Sequence, residues 1–141
     1  MSKSYLTIHE FQTVSEDTNS VQVSSLGVST TLGNSQSGDV LILSSTGGSS
    51  VMLPSPSSGL SYKFIIGATG EHTITAPSAL IVGALNTAVF NTGANLSTGA
   101  AKTTIATTSG STVGDCFNLT SDGASFFLGG TVSQYNGVKF V

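Results

Sequence analysis

No stretch of this chain sustains apolar residues at the three- and four-residue spacing of an amphipathic helix. Short apolar runs, rich in β-branched and aromatic residues, instead alternate with clusters of Gly, Ser, Thr, Asn and Pro. The runs fall at 39–43 (DVLIL), 51–53 (VML), 62–66 (YKFII), 72–75 (HTIT), 80–82, 88–90, 103–107, 116–120, 125–128 and 138–141, with a looser alternation over 21–28. About ten strands at spacings of roughly 8 to 12 residues are the pattern of a sandwich or barrel. The nearest thing to a helix, 78–84, contains Ile81 and Val82, which favour a strand. Turn chemistry agrees. Ser121-Asp122-Gly123 suits a tight turn with Gly123 at positive φ, and Asn136-Gly137 predicts a terminal hairpin joining 132–135 to 138–141. A cadence of glycine, apolar strand and turn recurs, without an exact internal repeat.

With 141 residues, 38% of them hydrophobic, the chain is long enough for one well-buried core. We read residues 20–141 as one all-β domain and residues 1–19 as an N-terminal arm. Charged residues make up only 8% of the chain, against about 25% in an average soluble domain. Arginine is absent, and Lys3, Lys63, Lys102 and Lys139 are scattered, so there is no basic footprint for a nucleic acid. The net charge of -3 gives weak self-repulsion and suits dense packing against copies of the chain. Cys116 is the single cysteine, so a disulfide framework is excluded. The start MSKSYLTIHEF lacks a signal-peptide apolar run, and nowhere do 18 apolar residues follow one another, so synthesis in a cytoplasm without membrane insertion is expected. On that route Asn95-Leu-Ser97 and Asn118-Leu-Thr120 are polar loop and strand residues rather than glycosylation sites.

The arm carries Glu10, Glu16 and Asp17 beside Tyr5, Leu6, Ile8 and Phe11. These apolar side chains are too few for a core of their own. They must dock on a partner or close the chain's own sheet as a strand.

Catalytic chemistry finds little to work with. Cys116, His72 and Asp115 or Asp39 could on paper supply a nucleophile, base and orienter, but Cys116 lies in the apolar run CFNL, where a thiol acts as a small hydrophobe. Outside the arm the carboxylates are Asp39, Glu71, Asp115 and Asp122. Three of these sit where turns place aspartate, in SGDV, VGDC and SDG, so no acid–base pair stands out. Two histidines 63 positions apart and one cysteine give no metal-ligand spacing. GATG at 67–70 lacks the lysine and the strand-to-helix context of a phosphate loop. No enzyme activity, cofactor or metal is expected.

Two segments do form a recognisable pattern. VMLPSPSSGLSYKFII (51–66) fits a strand and turn of the form LP-x4-G-x2-Y-x-F, through Leu53, Pro54, Gly59, Tyr62 and Phe64. GDCFNLTSDGASFFLGG (114–130) fits a GD-x3-L-x-SDG segment followed by an aromatic, through Gly114, Asp115, Leu119, Ser121, Asp122 and Gly123. Together they resemble a pattern of bacteriophage virion proteins, and the resemblance spans roughly residues 38–130. The aromatic after SDG is commonly tryptophan in that family, whereas this chain has Phe126-Phe127 and no Trp. A phenylalanine can fill the apolar slot but supplies no indole donor.

The resemblance implies an all-β, sandwich or jelly-roll-like, trimeric module of the head decoration (cement) family. Such a protein is made in the bacterial host cytoplasm and carried on the virion, where it binds the outer face of the capsid near three-fold positions and stabilises the lattice. Its expected partners are itself, as a homotrimer, and the phage major capsid protein, with no nucleic acid and no membrane. Tyr5, Leu6, Ile8 and Phe11 are then the expected capsid-facing anchors. The alternative is a tail-fibre or spike tip that binds host glycan, for which Tyr135-Asn136, or the SDG turn with Phe126, could serve.

Overall fold

Period-two runs of the kind seen in the sequence bury one face each, and they do so here in two facing β-sheets. The computed structural model describes residues 21–77, 80–87, 96–97 and 102–141, apart from the side chains of Leu96, Ser97 and Tyr135. Its strands are β1 (Val23–Leu26), β2 (Ser29–Thr31), β3 (Val40–Leu43), β4 (Ser50–Met52), β5 (Ser61–Ile66), β6 (Thr73–Thr75), β7 (Leu80–Thr87), β8 (Leu96–Ser97), β9 (Thr104–Thr107), β10 (Cys116–Ser121), β11 (Ser125–Val132) and β12 (Val138–Phe140). A seven-stranded sheet runs β1-β3-β5-β10-β11-β7-β8 and a five-stranded sheet runs β12-β9-β6-β4-β2. Both sheets are mixed, and the arrangement is that of an all-β sandwich.

The first six strands alternate between the sheets. β1, β3 and β5 lie parallel in the larger sheet, while β2, β4 and β6 lie parallel in the smaller one. The chain therefore winds in three coils, each laying one strand on either layer. The register Val23↔Val40↔Lys63 sets the coil lengths on one layer, and Ser29↔Ser50↔Thr73 sets them on the other. After β6 the pairing turns mostly antiparallel, with β9 on β6, β10 on β5, and β11 on β10. β7 instead joins β11 in parallel.

Alternation along each strand decides which side chains enter the core. In β5, Tyr62, Phe64 and Ile66 are buried while Lys63 is exposed, and in β10 Phe117, Leu119 and Ser121 point inward. β3 reads as an unbroken apolar run because Leu41 and Leu43 fill the core while Val40 and Ile42 lie half-buried on the other face. Across the layers, Leu53, Ile74, Ile105 and Val138 of the smaller sheet join the same cluster.

The Ser121-Asp122-Gly123 turn forms as expected, with Gly123 at φ 102°. Residues 80–87 are a strand, as the β-branched pair Ile81-Val82 predicts. The expected terminal hairpin does not form. Tyr135–Gly137 is a single 3-10 turn, and β12 crosses to the smaller sheet to pair with β9. The cause is tertiary: the Thr108 N–H donates to Gly137 O at 2.9 Å and the Thr108 hydroxyl to Asn136 O at 2.6 Å. These bonds hold the turn against the loop after β9 while Val138 enters the core. The expected strand at 88–90 lies outside the described residues.

Candidate functional site

The two pattern segments, some fifty residues apart in the chain, lie side by side. β5 and β10 pair antiparallel with Tyr62 opposite Leu119 and Phe64 opposite Phe117. The Phe64 and Phe117 rings stack with centroids 5.6 Å apart, a geometry that adds to the area they bury. Leu53, Tyr62, Phe64 and Leu119 are all essentially inaccessible. The Tyr62 hydroxyl still has a partner, donating to Gly33 O at 2.9 Å; burial, with Asp39 nearby, holds its pKa above the ordinary tyrosine value. Leu53 donates its N–H to Thr75 O, and Pro54, which has no N–H, follows where the β4 ladder ends.

Glycine and aspartate close both ends of this strand pair. At one end Gly59 N donates to Ser121 O and Ser121 N to Leu60 O, while Gly123 packs close to Ser58. At the other end Gly114 N donates to Ile66 O and Ile66 N to Asp115 O. Asp122 is exposed, and its Oδ1 accepts the N–H groups of Ser125 and Ala124, both at 2.9 Å. Those two bonds hold its pKa below the ordinary aspartate range. Asp115 is buried. Its Oδ1 accepts the Ser133 N–H at 2.9 Å and the Ser133 hydroxyl at 2.6 Å, and its Oδ2 accepts Thr112 N–H at 3.3 Å. Both carboxylates are thus occupied by the chain's own backbone.

His72 is likewise engaged. Its Nδ1 accepts Ser49 N–H at 3.0 Å, its Nε2 faces Ala68 O at 2.8 Å, and its own N–H donates to the Thr107 hydroxyl. The ring is fully buried and ties together three loops at one end of the sandwich. On the surface of that end a shallow cleft of about 370 Å³ is lined by Thr46, Thr69, Glu71 and Ser109 with Gly47 and Gly70.

In the sequence Cys116 lies inside the apolar run CFNL. The side chain belongs instead to the outward set of β10 and is half-buried. Phe126, expected as an exposed aromatic beside the SDG turn, is wholly buried, and its neighbour Phe127 is 47% exposed. The reason is phase: β11 starts at Ser125, so even-numbered residues there face the core as far as Leu128. The arm residues Tyr5, Leu6, Ile8 and Phe11 lie outside the described residues.

The outward face of the larger sheet is not among the features expected from the sequence. It carries Val40, Ile42, Ile65 and Cys116 from three neighbouring strands, with Val82 and Phe127 further across, interleaved with the polar Lys63, Asn118 and Thr120. The signal for it was present in the unbroken apolar runs VLIL and FII, which have no polar residue to offer solvent. Scanned against models of known protein families and against curated protein sequences, the chain matches none.

Proposed function

We propose that the chain is a virion structural protein, a head decoration module of the sandwich or jelly-roll class. In this reading it binds the outer face of a phage capsid near three-fold positions as a homotrimer and holds neighbouring capsomers together. The observation that supports it is the side-by-side pairing of the Tyr62-x-Phe64 end of the first pattern segment with the Leu119 stretch of the second, as β5 and β10. Two further features support a structural role. The carboxylates of Asp115 and Asp122 are committed to backbone amides, and the surface carries little charge. Clamping would be multivalent: modest contacts from each of three copies add through effective concentration.

Deleting residues 1–12 and measuring occupancy on expanded capsids tests the anchor assigned to Tyr5, Leu6, Ile8 and Phe11. Occupancy should fall, and unchanged occupancy refutes that assignment. A second reading, a tail-fibre or spike tip binding host glycan, draws on the shallow cleft beside Glu71. Micromolar glycan-array binding that Glu71→Gln abolishes is its expected signature. Among the described residues the cleft has no aromatic ring for a sugar to stack on, which favours the capsid reading.

A further inference from the structure

Asn136-Gly137 makes no hairpin, and its glycine is not at positive φ. The glycine serves close approach instead: a Cβ there would lie 3.1 Å from both Gly110 O and Ser111 Cα. Gly137 is buried, while Asn136 before it is exposed. Asparagine is a thermolabile residue. It is most so before glycine, which has no Cβ to keep its amide nitrogen away from the preceding side chain.

We propose that Asn136 is a deamidation site gated by the 3-10 turn Tyr135–Gly137, and that the reaction frees the terminal strand β12 from the sandwich. The Gly137 nitrogen gives its proton to solvent base and attacks Asn136 Cγ. A C–N bond closes a five-membered imide, and the side-chain nitrogen leaves as ammonia. Water then opens the imide at one of its two carbonyls, leaving aspartate or isoaspartate. The folded turn commits both reacting atoms elsewhere. The Gly137 N–H donates to Gln134 O at 3.1 Å, and Asn136 Cγ lies against Gly110, 3.3 Å from where a Cβ would be. Thr108 locks the turn: its hydroxyl donates to Asn136 O at 2.6 Å and accepts the Gly110 N–H at 3.1 Å, and its N–H donates to Gly137 O at 2.9 Å. Reaction therefore waits on local opening, which needs less free energy than global unfolding. In isoaspartate the backbone runs through the former side chain and is one atom longer, so the turn cannot reclose on both Thr108 donors. The loss falls on β12, a three-residue edge strand whose sheet neighbour is β9.

Peptide mapping by mass spectrometry, on full-length chain incubated in warm, mildly alkaline buffer, tests the gate. Asn118, followed by Leu119 within β10, is the internal reference and should stay intact. Asn136 should convert roughly tenfold or more slowly in native than in urea-unfolded wild type. Thr108→Ala should raise the native rate about three- to tenfold, the factor one net hydrogen bond contributes to an opening equilibrium. Thr108→Ser, which keeps the hydroxyl, should react as wild type. Tyr62→Phe, which removes an unrelated bond to Gly33 O, should also leave the rate unchanged. The modified fraction, separated by its added negative charge, should show faster hydrogen exchange at the amides joining β9 and β12. Asn136 reacting no faster than Asn118, a native rate equal to the unfolded one, equal acceleration by Thr108→Ala and Tyr62→Phe, or unchanged exchange in the modified fraction overturns the inference.

Discussion

Replacing Asp115 by alanine removes a buried carboxylate that joins the loop before β10 to the segment after β11. Three bonds are lost: two at Oδ1, from the Ser133 N–H and hydroxyl, and a longer one at Oδ2 from Thr112 N–H. Hydrogen bonds to a charged group contribute about 1.5–3 kcal/mol each. The 3.3 Å contact adds little, and the Ser133 side is partly open to water that can replace the lost acceptor, so the lower end applies to the two short bonds. The expected loss is about 3 kcal/mol, or a fall of roughly 10 °C in Tm for a domain of this size. Asp115→Asn keeps an oxygen for Ser133 but turns an amide N–H₂ toward Thr112 N–H, and about half that loss is expected. Urea unfolding followed by far-ultraviolet circular dichroism suits a chain without Trp. In the Ser133→Ala background the alanine at 115 should cost about 1 kcal/mol less, because one of its bonds is already gone. A loss below about 0.5 kcal/mol for Asp115→Ala, or full additivity in the cycle, would refute the reasoning.

Three more changes test the scaffold. Tyr62→Phe leaves Gly33 O without its buried donor and should lower stability by about 1–2 kcal/mol without changing the fold, measured by the same urea titration. Gly130→Ala puts a methyl at φ 145°, where its carbon would lie 2.5 Å from Phe117 Cα; a loss of about 2–3 kcal/mol or failure to accumulate folded protein is expected, with wild-type stability as the contrary result. Asp122 has a lowered folded pKa, so its contribution is present above the unfolded value of 3.8 and disappears as pH falls through the lower folded value. The stability difference between wild type and Asp122→Asn should therefore be constant near neutral pH and shrink through that acidic window, and a difference that widens on acidification contradicts the assignment.

Strand identity was legible in the chain because it is local. β-Branched and aromatic residues at period two, cut by Gly, Pro and Ser-Asp-Gly, mark β3, β5 and β10 within a residue of where they lie and the start of β11, which runs on four residues past its expected end, and residues such as Tyr62, Phe64 and Leu119 fall on the inward phase of their runs. The same locality gave the Gly123 turn its conformation. Neighbourhood is not local. No property of residues 23–43 announces that β1 and β3 lie parallel on one layer while β2 crosses to the other, since that depends on coil lengths that differ from turn to turn. Asn136-Gly137 shows the limit from the other side: a strong hairpin signal was overridden by bonds from Thr108, a residue far away in sequence. The apolar part of the outer face is of the same kind. Val40, Ile42, Ile65, Cys116 and Phe127 look like core residues when read along the chain, and only the packing of one sheet against the other leaves them on the outside, because a strand has two faces and the core can cover one.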